Sequence, residues 1–210
     1  MIVSRAQRLL FVHVQKTGGL STDTLLESLL PDAERVQGLP GTRHAKLRAA
    51  LRAHPEYADY FVFGFVRNPW ARLLSWHAMV LRRTSSAQDG NEYIAARLEA
   101  NSFWRKVGEE YADFEEFVLR GTREIPRLGT PQIDWLRAPG READFIGRTE
   151  SFDADLATAL EKAGVEVPPG AIQRRNAGPP ADYRSAYTPA MRDRVAEAFA
   201  EDIEAFGYRF

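Results

Sequence analysis

Ten residues near the amino terminus, His13-Val14-Gln15-Lys16-Thr17-Gly18-Gly19-Leu20-Ser21-Thr22, bring together a cation, three hydroxyls and a glycine pair. They fall between an apolar run, Leu9 to Val14, and leucines at helical spacing, Leu25, Leu26, Leu29 and Leu30. A glycine-rich turn between a strand and a helix lets backbone N–H groups converge on an anion, and the helix N-terminus adds partial positive charge. Lys16 adds a compact point charge, and Thr17, Ser21 and Thr22 add hydroxyl donors. The pattern differs from the phosphate loop of nucleoside triphosphatases, in which the lysine follows the glycines. Here Lys16 precedes them and the chain contains no Gly-Lys pair. No apolar run ends in an aspartate suited to magnesium, so the turn predicts phosphate binding without a metal ion.

A second constellation is Phe65-Val66-Arg67-Asn68-Pro69-Trp70-Ala71-Arg72-Leu73-Leu74-Ser75. Arg67 closes the apolar run Tyr60 to Val66, at the strand end where open α/β sheets hold their ligands. Asn68-Pro69 then supplies a helix N-cap followed by proline at the first helical position. Ser75 lies eight residues beyond Arg67, about two helical turns on. Arg67 and Ser75 are therefore expected at one ligand phosphate, the guanidinium by forked charge-assisted bonds and the serine by its hydroxyl.

The elements that must position these residues follow from hydrophobic patterning. Leu9–Val14 and Tyr60–Val66 read as buried parallel strands, and Asp144-Phe145-Ile146-Gly147 as a shorter one. Thr42 to His54 reads as a basic helix with Leu47, Ala50 and Leu51 on one face. The helix after Pro69 carries Trp70, Leu73, Leu74, His77 and Leu81, and Thr84 to Asn91 reads as a surface loop. Asp113–Leu119 is expected to be helical, and Phe152, Leu156 and Leu160 mark another helix. A last helix starts at Thr188-Pro189 with Met191, Val195, Phe199, Ile203 and Phe206 on one stripe. Strands alternating with helices predict an α/β fold, a central parallel sheet flanked by helices, in a single domain over 1–210.

Composition sets the outer bounds. The chain has 210 residues, 44% hydrophobic and 27% charged, which is ample for a core and excludes collagen-like and disordered classes. Twenty-eight basic against 29 acidic residues argues against a general nucleic-acid binder, though a local basic pocket fits inside a balanced total. Of the basic residues 24 are Arg and four are Lys, an imbalance that codon bias explains as a set. The absence of cysteine excludes disulfides, thiolate metal sites and cysteine nucleophiles. The early apolar run is too short for a membrane span or a signal peptide, so a soluble, cytoplasmic protein is expected.

Together the two constellations resemble the nucleotide motifs of sulfotransferases that use 3′-phosphoadenosine-5′-phosphosulfate (PAPS). The nearest likeness is to the family-2, carbohydrate-type branch, which includes heparan-sulfate 2-O-sulfotransferase-like enzymes and soluble bacterial relatives. That pattern, His-x-Pro-Lys-Thr-Gly-Gly-Thr-Ser and Val-Arg-Asn-Pro-x-x-Arg-Leu-x-Ser, is met by His13, Lys16, Thr17, Gly18, Gly19 and Ser21, then by Val66, Arg67, Asn68, Pro69, Arg72, Leu73 and Ser75. It continues through Asp144 to Glu150, Asn176, Tyr187 and Asp202 to Tyr208. The resemblance implies a P-loop-like sulfotransferase fold and an O-sulfotransferase that needs no metal. PAPS would be the donor, and an acceptor hydroxyl, of a glycan or glycolipid, would receive the sulfuryl group. It assigns Lys16, Thr17, Gly18, Gly19, Leu20, Ser21 and Thr22 to the 5′-phosphosulfate, and Arg67 and Ser75 to the 3′-phosphate. Gln15 stands where the pattern has proline, and Leu20 where it has threonine or serine. The second departure removes a side-chain donor and predicts weaker donor binding.

Such a reaction calls for a base, and histidine titrates nearest neutrality. Among His13, His44, His54 and His77, the resemblance favours His44, at the start of the Thr42 helix and 23 residues before Arg67. Lys16 would stabilise charge on the departing bridging oxygen; a glutamate base, used by some carbohydrate sulfotransferases, is the alternative to His44. His13 reads as a packed strand residue, and His54 and His77 as structural. Arg174, Arg175 and Asn176 either close over the nucleotide or form a solvated loop. Trp104 and Trp135 lie in the middle segment expected to shape the acceptor cleft, where a sugar-stacking surface belongs. A divergent small-molecule kinase and a catalytically silent nucleotide-binding module are the competing readings. Oligomeric state is not legible.

Overall fold

A computed structural model describes residues 1–173 and 182–210. The chain divides into two compact units, Met1–Arg67 with Gln132–Pro179, and Asn68–Pro131 with Pro180–Phe210. Arg174, Arg175 and Asn176 lie outside the described residues.

The first unit holds the sheet. Strand β1 (Ile2–Ser4) pairs antiparallel with β2 (Leu9–Val12) and with the short β3 (Glu34–Arg35). Strand β4 (Phe61–Val66) runs parallel to β2, Leu9 opposite Phe61 and Val12 opposite Gly64. The Phe145–Arg148 strand runs parallel to β4, giving the order β3-β1-β2-β4 and then Phe145–Arg148. The fold is α/β as expected, but the sheet is mixed rather than wholly parallel. The reason lies in the β1–β2 connection, where Arg8 has φ 49° and its N–H donates to the Arg5 carbonyl at 3.2 Å. Arg-Ala-Gln-Arg carries none of the Gly, Asn or Pro residues that announce a tight turn.

Both faces of the central strands are covered, which is why they read as unbroken apolar runs. Leu9, Phe11, Phe63 and Phe65 pack with Leu25 and Leu26 of helix α1 (Gly19–Leu29) and with Phe152, Leu156 and Leu160 of the Phe152–Lys162 helix. The helical turn Ile133–Leu136 packs on β4 and on helix α2 (Leu47–Ala53). The expected Thr42–His54 helix is thus split: Thr42–His44 forms a separate 3-10 turn, and Lys46 is extended. The His44 carbonyl, which a continuous helix would give to its own backbone, accepts the Trp135 indole N–H at 2.9 Å.

The second unit is helical. Asn68 caps helix α3 (Pro69–Gln88) by accepting the N–H groups of Trp70 at 3.1 Å and Ala71 at 3.3 Å, with Pro69 at the first position as expected. Trp70, Leu73, Trp76 and Val80 of α3 pack with Val107, Phe117, Leu128, Met191, Val195 and Phe199. The Thr84–Asn91 loop is corrected: α3 continues to Gln88, and only Asp89, Gly90 and Asn91 turn the chain. The Ser/Thr-rich stretch is the polar face of a helix end, with Gly90 at φ 92° and Asn91 capping helix α4 (Glu92–Glu99). Helix α5 (Ser102–Glu110) follows. The Asp113–Leu119 helix is a short helical turn, Phe114–Glu116, running into a π-helical turn, Phe117–Gly121. The final stripe is two helices, Pro189–Ala198 and Ala200–Phe206, broken where Phe199 takes φ −119°.

Candidate functional site

Strand β2 delivers a buried segment, His13 to Gln15, into a turn with two left-handed residues, Lys16 at φ 69° and Gly18 at φ 85°. A lysine in the left-handed region costs about 1–2 kcal/mol, and such strain concentrates at functional sites. The Thr17 hydroxyl donates to the Val14 carbonyl at 2.9 Å, closing the turn from inside, so it is not aimed at a ligand as expected. Gly18 caps α1, and its carbonyl accepts the N–H groups of Ser21 at 2.9 Å and Thr22 at 3.3 Å. The donors available to an anion are therefore narrower than the expected Gly18–Thr22 set. They are the N–H groups of Gly18, Gly19 and Leu20, which meet no acceptor among the described residues. Ser21 is buried, and the Thr22 hydroxyl is fully buried with no hydrogen-bond partner among the described residues.

Both glycines are required by contacts. A Cβ on Gly18 would lie 2.5 Å from the Phe152 ring, and one on Gly19 would lie 2.0 Å from Nε2 of His13. Leu20, between the cradle and solvent, is 41% exposed, while its N–H stays in the donor set.

His13 is packed, as read from the sequence, but it is also linked to charge. Its Nδ1 lies 3.3 Å from Oδ2 of Asp23, and the same oxygen accepts from the Arg43 guanidinium. Burial pushes His13 below the ordinary imidazole range, partly opposed by Asp23. Burial pushes the Asp23 carboxyl up, but hydrogen bonds from His13 and Arg43 outweigh it and hold it at about 2. With His13 neutral, Arg43 is the countercharge. Neither Asp23 nor Arg43 was signalled by the sequence motifs; the i, i+4 step puts Asp23 on the same side of α1 as Gly19, and nothing local points to Arg43.

His44 stands beside this network, not at the start of a helix but in the 3-10 turn. Its ring meets the His13 ring edge-on at 4.5 Å, and its Nδ1 lies 3.0 Å from the His13 carbonyl oxygen. A carbonyl only accepts, so Nδ1 carries the proton and Nε2 holds the lone pair. Burial pushes His44 down to about 2, with the neighbouring His13 adding to the effect. Beneath it Trp135, 4% exposed, carries Lys46 over its ring at 4.9 Å and so is no stacking surface.

Arg67 follows β4, half-buried, and its backbone is clamped by a side chain that sequence reading missed. Gln132, fully buried, accepts the Arg67 N–H at 3.0 Å and donates to the Arg67 carbonyl at 2.8 Å. In the second unit Ser75 is half-buried on α3. Arg72 is fully buried there, 5.0 Å from the Trp76 ring and 5.9 Å from that of Phe199. His77 is buried with Nε2 2.9 Å from the Ala112 carbonyl, and Trp104 carries the Arg83 guanidinium 3.8 Å over its ring. In the first unit His54 stacks on Tyr57 at 4.8 Å.

Among the described residues no cluster of three His, Asp or Glu is placed to hold a metal ion, and no helix is long and apolar enough to cross a membrane. No curated protein and no solved structure matches the chain. A family model described as the sulfotransferase family matches residues 1–209. That match runs along almost the whole chain, so this protein belongs to the sulfotransferase family.

Proposed function

We propose that the chain transfers the sulfuryl group of PAPS to an acceptor hydroxyl, of a glycan or glycolipid. The observation that carries this reading is the turn before α1, where two left-handed residues leave the Gly18, Gly19 and Leu20 N–H groups at a helix N-terminus. Those groups, with Lys16, suit the 5′-phosphosulfate; the guanidinium of Arg67 suits the 3′-phosphate. A role for Ser75 at the 3′-phosphate rests on the motif alone. PAPS supplies an activated sulfuryl group on a mixed anhydride; the chain's own part is positioning and charge.

In this reading Lys16 faces the charge that gathers on the leaving nucleotide. His44 accepts the proton of the acceptor hydroxyl at Nε2, because Nδ1–H is committed to the His13 carbonyl. A base held near 2 is weak, but a bound anion beside it favours the imidazolium and raises its affinity for the proton. The test is calorimetric titration with adenosine 3′,5′-bisphosphate in EDTA, paired with a transfer assay using labelled PAPS. Metal-independent binding is expected, with transfer abolished by Lys16→Ala. Binding that requires magnesium and prefers ATP would place the chain with small-molecule kinases, and nucleotide binding with no labelled product would leave a silent binding module.

A further inference from the structure

We propose that His13 is a positioning residue, the buried joint that couples the donor turn to His44 and is itself held in place by Asp23 and Arg43. The inference rests on the sulfotransferase reading above and concerns a residue outside the donor and base assignments.

The ring makes three contacts that no single apolar side chain could reproduce. Along α1 it lies against the first turn: Nδ1 faces Asp23, and Nε2 fills the space a Gly19 Cβ would take. Gly19 and Asp23 are one turn apart, so the ring is held lengthwise against the stretch of helix that presents the anion-binding N–H groups. Across the strand end, the ring sets the face against which His44 packs, and the His13 carbonyl fixes the His44 tautomer. A shift of the donor turn is thereby a shift of His44.

The polar partners argue against a role in packing alone. Asp23 is 1% exposed and its Oδ1 has no hydrogen-bond partner among the described residues, an expensive way to fill a core. A leucine or phenylalanine at 13 with a small residue at 23 would avoid burying a carboxylate. What the polar arrangement adds is orientation: Arg43 anchors Asp23, Asp23 orients His13, and His13 seats His44 against a turn that its own backbone and Thr17 close.

The experiment compares His13→Asn, Gly19→Ala and the double variant with the parent chain. Asparagine keeps a donor toward Asp23 but removes the half of the ring that meets Gly19 and His44. For His13→Asn, kcat is expected to fall at least about ten-fold, with KM for PAPS and the affinity for adenosine 3′,5′-bisphosphate held within about two-fold. Gly19→Ala alone is expected to lose nucleotide affinity by collision with the ring. The double variant should regain that affinity while kcat stays low, a coupling that independent sites would not show. Parallel loss of nucleotide affinity and kcat in His13→Asn would overturn the proposal, as would unchanged kcat or strictly additive effects. If His13→Asn does not fold, Asp23→Asn serves instead; it must lower kcat with KM unchanged, and intact kcat there overturns the proposal. Failure of the parent chain to bind the bisphosphate would sink the sulfotransferase reading itself. The Gly19–His13 coupling, read in melting temperature, would still report on the joint.

Discussion

At the scale of residues, the site is built from groups whose ordinary chemistry has been displaced by burial. His13 and His44 are both held below the usual imidazole value, His44 at about 2, and His77 in the second unit is also lowered. For each, the unfolded chain takes up a proton near pH 6.5 that the folded chain refuses. Stability contributed this way is complete above pH 6.5 and falls as pH drops below it, for His44 by up to about 1.4 kcal/mol per pH unit and for His13 and His77 in the same direction. Asp23 acts lower down, its contribution being lost as pH falls from the ordinary carboxylate range toward about 2. Urea unfolding at pH 7.5, 6 and 5 should therefore show a falling midpoint, and His44→Gln should flatten that slope; an unchanged slope would refute the burial argument. Leu20 invites a second measurement. A hydroxyl there would add one donor to the cradle, so Leu20→Ser should tighten adenosine 3′,5′-bisphosphate by up to about ten-fold, near 1.4 kcal/mol, in titration calorimetry.

At the scale of elements, the parts legible in the sequence were those whose signal is local. Leu9–Val12 and Phe61–Val66 are short apolar runs buried on both faces, and Asn68-Pro69 is a cap written in two letters. The missed parts depend on partners distant in sequence. The β1–β2 hairpin turns on a left-handed Arg8, and the split at Lys46 depends on Trp135, which lies 91 positions beyond His44. The site divides the same way. Lys16 through Thr22 was readable because phosphate-type turns have a fixed grammar. The Asp23–His13–His44 contacts were not, because helix, strand end and 3-10 turn meet only in the fold. Gln132 belongs to this second class, and it carries a prediction. Gln132→Leu removes both partners of the Arg67 backbone, a loss of about 1–3 kcal/mol of order at that point. Affinity for adenosine 3′,5′-bisphosphate should fall by about ten-fold or more, while adenosine 5′-phosphosulfate, lacking the 3′-phosphate, should be held within about two-fold. Equal losses for both nucleotides would detach Arg67 from the 3′-phosphate.

At the scale of the whole molecule, a net charge of −1 and a surplus of arginine over lysine say little until the lysines are placed. Lys46 lies over Trp135 and 3.6 Å from Asp134, Lys106 pairs with Glu110 at 3.3 Å, and Lys162 closes the last turn of its helix. Each has a structural role that arginine would serve about as well. Lys16 alone among them sits in a left-handed turn beside a helix N-terminus, where a lysine offers a compact point charge and an arginine would offer a planar fork. Lys16→Arg is thus a more discriminating change than Lys16→Ala in an acceptor screen with labelled PAPS across saccharides, glycolipids and phenols. The parent chain is expected to label saccharide or glycolipid hydroxyls. Lys16→Arg, though it keeps the charge, is expected to lose most of that transfer while retaining the nucleotide. Labelling confined to phenols would overturn the glycan assignment, and full activity in Lys16→Arg would show that charge alone, not the shape of the turn, is what the position requires.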